Sequence, residues 1–380
     1  MLRSETPEQR EFRADVREWI AGNLNPALRF LTFRPLPTDG MPWYRKLSER
    51  GWIAPHWPVD FGGMGATPVQ QVILWEELAR AGAPDIPTQG LNHIGPLLIK
   101  LGNAEQRSRH LPAIIHGDAI WCQGYSEPGA GSDLASLRTR AEIKGDHLII
   151  NGQKIWTTWG HHADWMFALV RTGRGASKRD GITFVLIDMT TPGITCRPIR
   201  TLAFDEEFSE VFFEDVRVPL ANVVGEIGSG WNIATAVLDQ ERLLLGSPVI
   251  ALRALERLRR LVRFGKVPLD RRLVDLIARA EIEVDVLTAC FLNVAEGEAG
   301  GSGADASYLK ILATETTQFV LDVLQDAAGP LAAIRSAQHV GQERLDLNEM
   351  FLQSRRLTIY GGSSEIQRTI IANRTLGLPR

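Results

Sequence analysis

Gly124-Tyr125-Ser126-Glu127-Pro128-Gly129-Ala130-Gly131-Ser132-Asp133, followed by Asn151-Gly152-Gln153-Lys154-Ile155-Trp156-Thr157-Thr158, is the stretch on which the reading of this chain turns. The first segment gathers three glycines, a proline and two serines between apolar runs. That composition predicts an ordered loop with unusual backbone angles, in which N–H groups and hydroxyls approach a ligand closely. The second segment opens with an expected turn at Asn151-Gly152 and closes on an indole and two hydroxyls. A flat aromatic with donors beside it suits a large, planar, polar ring.

On either side of this stretch the patterning changes character. Upstream, Thr6-Pro7-Glu8-Gln9 supplies a cap, an N1 proline and a capping-box glutamine ahead of Phe12, Val16, Trp19 and Ile20, so an amphipathic helix is expected. Helical spacing recurs through Trp43–Arg50, Pro68–Ala81 and Ile94–Leu101, interrupted by a loop over Pro55–Gly65. Residues 137–150 alternate about Lys144-Gly145-Asp146, which reads as a hairpin. Further β-rich runs follow at Trp165–Arg171, Ile182–Met189, Ile194–Ile199 and Glu210–Phe213. From Trp231 onward helical periods return at 231–262, 270–298, 304–328 and 337–358.

Composition excludes several classes of function. At 380 residues the chain can hold two or three domains. Its net charge of −3 offers no footprint for nucleic acid or an anionic membrane surface. No run of about 18 apolar residues exists to span a bilayer. The first residues lack the apolar stretch of a signal peptide. Cys122, Cys196 and Cys290 are far apart and odd in number, which points to a reducing compartment, and a cytoplasmic location is expected. His161-His162 has no third ligand at metal spacing, so no metal site is expected. There is neither Gly-x-Gly-x-x-Gly after a strand nor a P-loop, and no Gly-x-Ser-x-Gly elbow for serine hydrolysis.

The two segments quoted first closely resemble the flavin-binding region of the acyl-CoA dehydrogenase family, and the α, β, α order extends the resemblance over nearly the whole chain. The resemblance implies an α+β fold. An N-terminal α-helical domain is expected at 1–118, a β-barrel-like, flavin-binding middle domain at 119–228, and a C-terminal four-helix bundle at 229–380. It implies FAD bound without a Rossmann fingerprint, across the β domain and the C-terminal helices of a neighbouring subunit. Gln123, Tyr125, Ser126, Gly131 and Ser132 would line the flavin and its pyrophosphate, with Ser132 also near the substrate. Trp156 and Thr158 would face the isoalloxazine ring and its N5.

Asp239-Gln240-Glu241-Arg242 begins a helix that continues into Leu243–Leu245. By itself it reads either as an acidic first turn with a surface ion pair or as a carboxylate set among apolar side chains. Burial of the second kind raises a carboxylate's pKa and suits it to abstract a proton next to a thioester carbonyl. In the family the catalytic glutamate occupies one of two places. The later one, in a Tyr-Glu-Gly-Thr motif, is Tyr360-Gly361-Gly362-Ser363 here, and Gly361 cannot act as a base. The earlier one, just before an arginine as in isovaleryl-CoA and long-chain enzymes, is Glu241. Asp239 and Arg242 would contact coenzyme A, and a backbone N–H near Gly361 would polarise the thioester carbonyl. The reaction implied is α,β-dehydrogenation of an acyl-CoA to a trans-2-enoyl-CoA, with hydride passing to flavin N5 and electrons leaving to electron-transferring flavoprotein. An acyl-CoA oxidase that uses oxygen is the alternative on the same fold.

The C-terminal stretch Tyr360–Arg368 resembles the family's terminal signature, so Ser363, Ser364 and Glu365 would touch FAD. Gly361-Gly362 also removes bulk beside the reacting carbons, which favours a bulky or branched acyl group. Two cross-subunit FAD motifs are altered. Arg-x-Thr-Phe-Gly becomes Leu261-Val262-Arg263-Phe264-Gly265, with Arg260 and Arg263 as the nearest substitutes. Gln-x-x-Gly-Gly becomes Gln325-Asp326-Ala327-Ala328-Gly329, keeping Gln325 and Gly329 as expected contacts. The expected assembly is a homodimer or homotetramer, or a hetero-oligomer in which this chain needs a related partner or completes a partner's FAD site.

Overall fold

A computed structural model of the chain describes residues 5–31, 35–265, 267–297, 305–335 and 337–379, with the side chains of 236–243, 305 and 343 left outside the description. In chain order the helices are α1 (Pro7–Asn23), α2 (Pro37–Glu49), α3 (Pro68–Ala81), α4 (Gly95–Leu101), α5 (Ala104–His116), α6 (Gly230–Leu245), α7 (Val249–Phe264), α8 (Arg271–Ala295), α9 (Asp305–Ala328), α10 (Glu349–Ser354) and α11 (Ser364–Arg374). The strands are β1 (Trp121–Gly124), β2 (Arg140–Lys144), β3 (His147–Thr158), β4 (Trp165–Arg171), β5 (Ile182–Asp188), β6 (Ile194–Ile199) and β7 (Phe208–Pro219), then a separate pair β8 (Gln338–Val340) and β9 (Glu343–Leu345). The expected α+β class with a helical start, a sheet in the middle and a helical end is what the chain forms. Among the described residues no helix is long and apolar enough to cross a membrane.

By packing, the chain divides into two units. One contains Leu47–Met64 and Pro87–Glu241. Its sheet has seven strands in the order β1-β4-β2-β3-β7-β6, with β5 on the other edge of β4. β4 and β5 are apolar almost throughout and buried on both faces, so this end of the sheet is covered on both sides. The expected hairpin joins β2 and β3, reversing at Gly145, whose φ of 60° a side-chain-bearing residue adopts at a cost. Inward residues of the sheet, among them Cys122, Leu148, Ile150, Met166, Val185, Val211 and Val216, form one core. Outside the sheet, the Gln106 amide donates to the carbonyls of Ala221 (3.0 Å) and Val223 (2.9 Å), tying α5 to the chain that leaves β7.

Asn151-Gly152 is not the turn the sequence suggests. It lies inside β3, which runs twelve residues. Opposite it, β7 carries one extra residue, because Ile150 pairs with Val216 while Gly152 pairs with Phe213. The Asn151 amide donates to Asp215 at 2.9 Å and accepts the Asp215 N–H at 3.0 Å, so the turn-forming chemistry of asparagine closes a β-bulge instead. Gly152 sits at φ 149°, where an added Cβ would meet Thr139 Cα at 2.7 Å. Gly152→Ala is therefore expected to cost about 1–3 kcal/mol. A lowered denaturation midpoint would show this, and an unchanged midpoint would remove the glycine's steric role.

The other unit contains Met1–Lys46, Gly65–Ile86 and Arg242–Arg380. α1 begins with the expected capping box, Thr6 accepting from the Gln9 N–H and the Gln9 side chain returning to the Thr6 N–H. Thr67 and Gln70 repeat it at α3. The two helices are joined through Glu77, which is 2% exposed and accepts from Arg13, Arg17 and Arg80. Burial pushes its carboxyl up, but the three guanidiniums hold it below the usual carboxylate range. α7, α8 and α9 bury Leu255, Leu258, Val284, Leu287, Val320 and Leu324 against one another.

Two expected helices need correction here. The period at 231–262 is two helices, since Gly246-Ser247-Pro248 separates α6 from α7 and proline has no N–H to continue the ladder. The period at 337–358 is the hairpin β8–β9 followed by the short α10. Gly341, at φ 62°, turns that hairpin, and the Asp346 carboxylate accepts the N–H groups of Asn348, Glu349 and Met350 where α10 begins.

Candidate active site

The glycine-rich segment leaves β1 as an ordered loop. Glu127 and Ala130 exchange backbone hydrogen bonds at 3.1 and 3.0 Å around Pro128-Gly129, so this part of the loop is a tight turn. Gly129, Gly131 and Ser132 are exposed, and a Cβ on either glycine would meet no atom within 4 Å, which leaves the backbone approachable. Asp133, next along, accepts from Ser136 and from Lys178 (3.0 Å). Tyr125 is buried edge-on against Phe167 and Phe184, at centroid distances of 5.8 and 6.3 Å. Gln123 and Ser126 are half-buried.

Beneath this turn lies a buried ion pair that sequence reading missed. Glu127 Oε1 and Lys154 Nζ are 2.8 Å apart, and Lys154 is fully buried. The Lys154 ammonium also donates to the Tyr125 carbonyl at 3.2 Å. The Glu127 carboxylate takes the N–H groups of Arg138 (2.6 Å) and Thr139 (2.9 Å). Burial alone would push this carboxyl up; the adjacent ammonium and these donors hold it below the usual carboxylate range. A signal was available in strand parity, because β3 buries Leu148 and Ile150, and Lys154 falls on the same face.

Parity then breaks at the residue that matters. Lys154 pairs with Val211 and Thr157 with Ser209, so β3 carries one extra residue at Ile155–Trp156. Regular alternation would bury Trp156 beside Lys154. The bulge turns it out instead, leaving it 55% exposed at φ 61°, with its indole edge-on to Phe208 at 6.0 Å. A left-handed backbone at a bulky residue costs about 1–2 kcal/mol. The Ile155 N–H donates to the Ser126 carbonyl at 2.9 Å, so the bulge and the glycine-rich loop are locked together. Thr158 follows, half-buried. Thus Ser126, Trp156 and Thr158, 30 or more positions apart between loop and strand, are assembled in one place by the fold.

In the helical unit, Tyr360–Ser363 forms a compact turn ahead of α11. Gly361 and Gly362 have φ of 63° and 83°. Ser363 caps α11, its hydroxyl accepting the Ile366 N–H at 3.4 Å. Glu365 is exposed, its carboxyl lowered first by a hydrogen bond from Ser363. Ser364 is 5% exposed and its hydroxyl has no hydrogen-bond partner among the described residues. Gln325 stands apart from this group and donates to the Leu347 carbonyl of its own chain, while Gly329 is exposed at φ 54°.

Leu261, at the altered arginine position, is 1% exposed in the α7–α9 core. Arg260 is engaged by Glu256 (2.9 Å) and the Arg80 carbonyl (2.9 Å), whereas Arg263 is exposed over the Phe264 ring. Asp239, Glu241 and Arg242 do not begin a helix as expected but fall in the last two turns of α6, which starts at Gly230 and ends at Leu245; their side chains are outside the described residues. Among the described residues no group of three metal-ligating side chains occurs, so His161, which bonds Ser209 at 2.7 Å, has no metal partners there.

Comparison with known proteins places all three parts of the chain. Residues 6–118 match the acyl-CoA dehydrogenase N-terminal domain model, 122–216 the middle domain and 228–376 the C-terminal domain. The chain is 38% identical over 383 residues to acyl-CoA dehydrogenase IpdE1 of Mycobacterium tuberculosis, covering 97% of this chain and 98% of that protein. Among solved structures it resembles the Tcur3481-Tcur3483 steroid ACAD, with a TM-score of 0.87, 30% identity and 99% of each chain covered. It also resembles the ChsE4-ChsE5 complex of Mycobacterium tuberculosis, with a TM-score of 0.86, 34% identity and 100% of each chain covered.

Proposed function

Because this chain belongs to the acyl-CoA dehydrogenase family, we propose that it oxidises a bulky, steroid-type acyl-CoA thioester to its trans-2-enoyl form, with FAD as cofactor and Glu241 as base. The observation that carries the reading is the bulge at Ile155–Trp156, which spends backbone strain to turn an indole outward beside a loop of open glycines.

The residues present fit a flavin. Trp156 offers an exposed aromatic face, Thr158 a neighbouring hydroxyl, and Gly129–Ser132 a backbone that a pyrophosphate can approach. We assign Gln123, Tyr125, Ser126, Gly131, Ser132, Trp156, Thr158 and Ser363–Glu365 to FAD, with Gln325 and Gly329 reaching the cofactor of a neighbouring subunit. FAD, when bound, supplies the acceptor for the hydride that leaves the β carbon. Glu241 takes the proton from the α carbon, at a position whose following residues, Leu243–Leu245, favour a carboxylate of raised pKa. The turn at Gly361 directs backbone N–H groups to the thioester oxygen, where negative charge develops as the proton leaves. Asp239, Arg242 and Ser132 hold the coenzyme A portion.

Bulk in the acyl group is supported by the two side-chain-free positions Gly361 and Gly362, and a steroid in particular by the structural likeness to a steroid ACAD. A mixed oligomer is supported by likeness to a two-protein complex and by Leu261, which is committed to its own core and has no cation to offer a cofactor. Electron-transferring flavoprotein is the proposed acceptor. The test is the visible spectrum of the chain purified alone and with a related subunit, followed anaerobically as thioesters are added. The mixed complex is expected to be yellow and to bleach with a steroid side-chain thioester. Colour that persists through every thioester class would overturn the reading.

A further inference from the structure

The turn that carries the proposed carbonyl donors is held from its inner side by two fully buried side chains, Lys310 and Gln367. Lys310, on α9, donates from Nζ to the Gly362 carbonyl at 2.9 Å. Gln367, on α11, donates from Nε2 to the carbonyls of Gly361 (2.9 Å) and Gly362 (3.2 Å). Two carbonyl acceptors fix which end of the amide faces the turn, and Gln367 Oε1 on the far side has no partner among the described residues. A Cβ on Gly362 would collide with Gln367 Nε2, so glycine there is a condition of this contact.

Peptide geometry extends the consequence outward. The chain has no cis peptide bonds, and in a trans peptide the N–H points opposite to the preceding C=O. With the Gly361 and Gly362 carbonyls drawn inward, the N–H groups of Gly362 and Ser363 face away from the buried pair. Neither donates to an acceptor among the described residues. An uncommitted pair of N–H groups on a turn of positive φ is suited to negative charge developing on an oxygen.

We propose that Lys310 and Gln367 are positioning residues, which polarise the thioester carbonyl indirectly by fixing the direction of the Gly361–Ser363 peptide planes. The proposal rests on the dehydrogenase reading above. It assigns to two buried groups, neither of which need touch substrate or FAD, the task of keeping two backbone dipoles aligned before the substrate arrives. Without them a diglycine turn has more backbone freedom than any other dipeptide.

The test uses the FAD-loaded protein and two ligands. One is an aromatic 2-enoyl-CoA, whose conjugated carbonyl absorbs further to the red when polarised. The other is an S-alkyl-CoA thioether, which has the same coenzyme A but no carbonyl. In Gln367→Glu the shape is kept but the donor is lost; in Lys310→Met the charge is removed at similar volume. Each variant is expected to shrink the red shift and weaken enoyl-CoA binding about tenfold, as for loss of one aligned hydrogen bond, while thioether binding stays unchanged. A full red shift in either folded variant would overturn the proposal. Equal weakening of both ligands would also overturn it, since that is what general damage to the fold produces. If the unsubstituted protein gives no red shift at all, the dehydrogenase reading itself fails, and the two failures are thereby told apart.

Discussion

Glu241→Gln is expected to leave acyl-CoA binding within about twofold while slowing anaerobic bleaching of the flavin by three orders of magnitude or more. A positioned general base contributes roughly 10²–10⁴-fold, and no second carboxylate stands ready at the alternative place. That place is Gly361, whose φ of 63° would strain any other residue. The amide of glutamine preserves the volume and hydrogen-bonding reach of the side chain but cannot take a proton. Binding should therefore survive where chemistry does not, and stopped-flow bleaching beside equilibrium titration separates the two. If bleaching proceeds at the original rate, the base is elsewhere. If binding is lost together with chemistry, Glu241 holds substrate rather than deprotonating it.

The second large effect concerns the ion pair under the glycine-rich loop. Glu127→Gln leaves the Lys154 ammonium buried opposite a neutral amide, and breaking a buried pair in this way costs about 3–5 kcal/mol. Lys154→Met alone should cost less, because the carboxylate keeps the Arg138 and Thr139 N–H groups. The double variant should recover part of the loss, since neither charge is then stranded. The pH dependence has a definite sign. The folded carboxyl lies below its ordinary value, so its contribution is complete above the unfolded-chain value near 4.3 and disappears as pH falls through the lower folded value. Denaturation midpoints of wild type and Glu127→Gln should thus be far apart at pH 7 and draw together under acid. Coincident curves from pH 7 down to pH 3 would show that the pair adds nothing. FAD affinity should fall with the single variants, because the Tyr125 carbonyl and the Glu127–Ala130 turn both depend on the pair.

Much of this architecture is legible from local chemistry. Thr6-Pro7-Glu8-Gln9 and Thr67-Pro68-Val69-Gln70 state their helix starts within four residues, and Lys144-Gly145-Asp146 states its reversal. Where reading failed, a local signal served a non-local purpose. Asn151-Gly152 has the composition of a turn, yet the partner it recognises is Asp215, 64 positions away. The helical spacing of 337–358 is real as a pattern, but Gly341 and the Asp346 carboxylate convert it into a hairpin and a new helix start. The burial of Lys154 escapes local pattern for a related reason. A lysine within a strand is ordinarily solvated, and only a carboxylate from the preceding loop makes its burial tolerable.

By itself, then, the sequence determined the family and the order of helical and β segments, and it supplied the proposals of Glu241 as base and of Leu261 at the altered arginine position. These rest on residue type and spacing, which need no partner to be read. Tertiary structure alone decided that Trp156 faces outward, that Leu261 belongs to its own core, and that Lys310 and Gln367 grip the Gly361–Gly362 turn. Each of those depends on register or burial against residues distant in the chain. One extra residue against β7 reverses which face of β3 meets solvent, and no local pattern records the strand that β3 will meet.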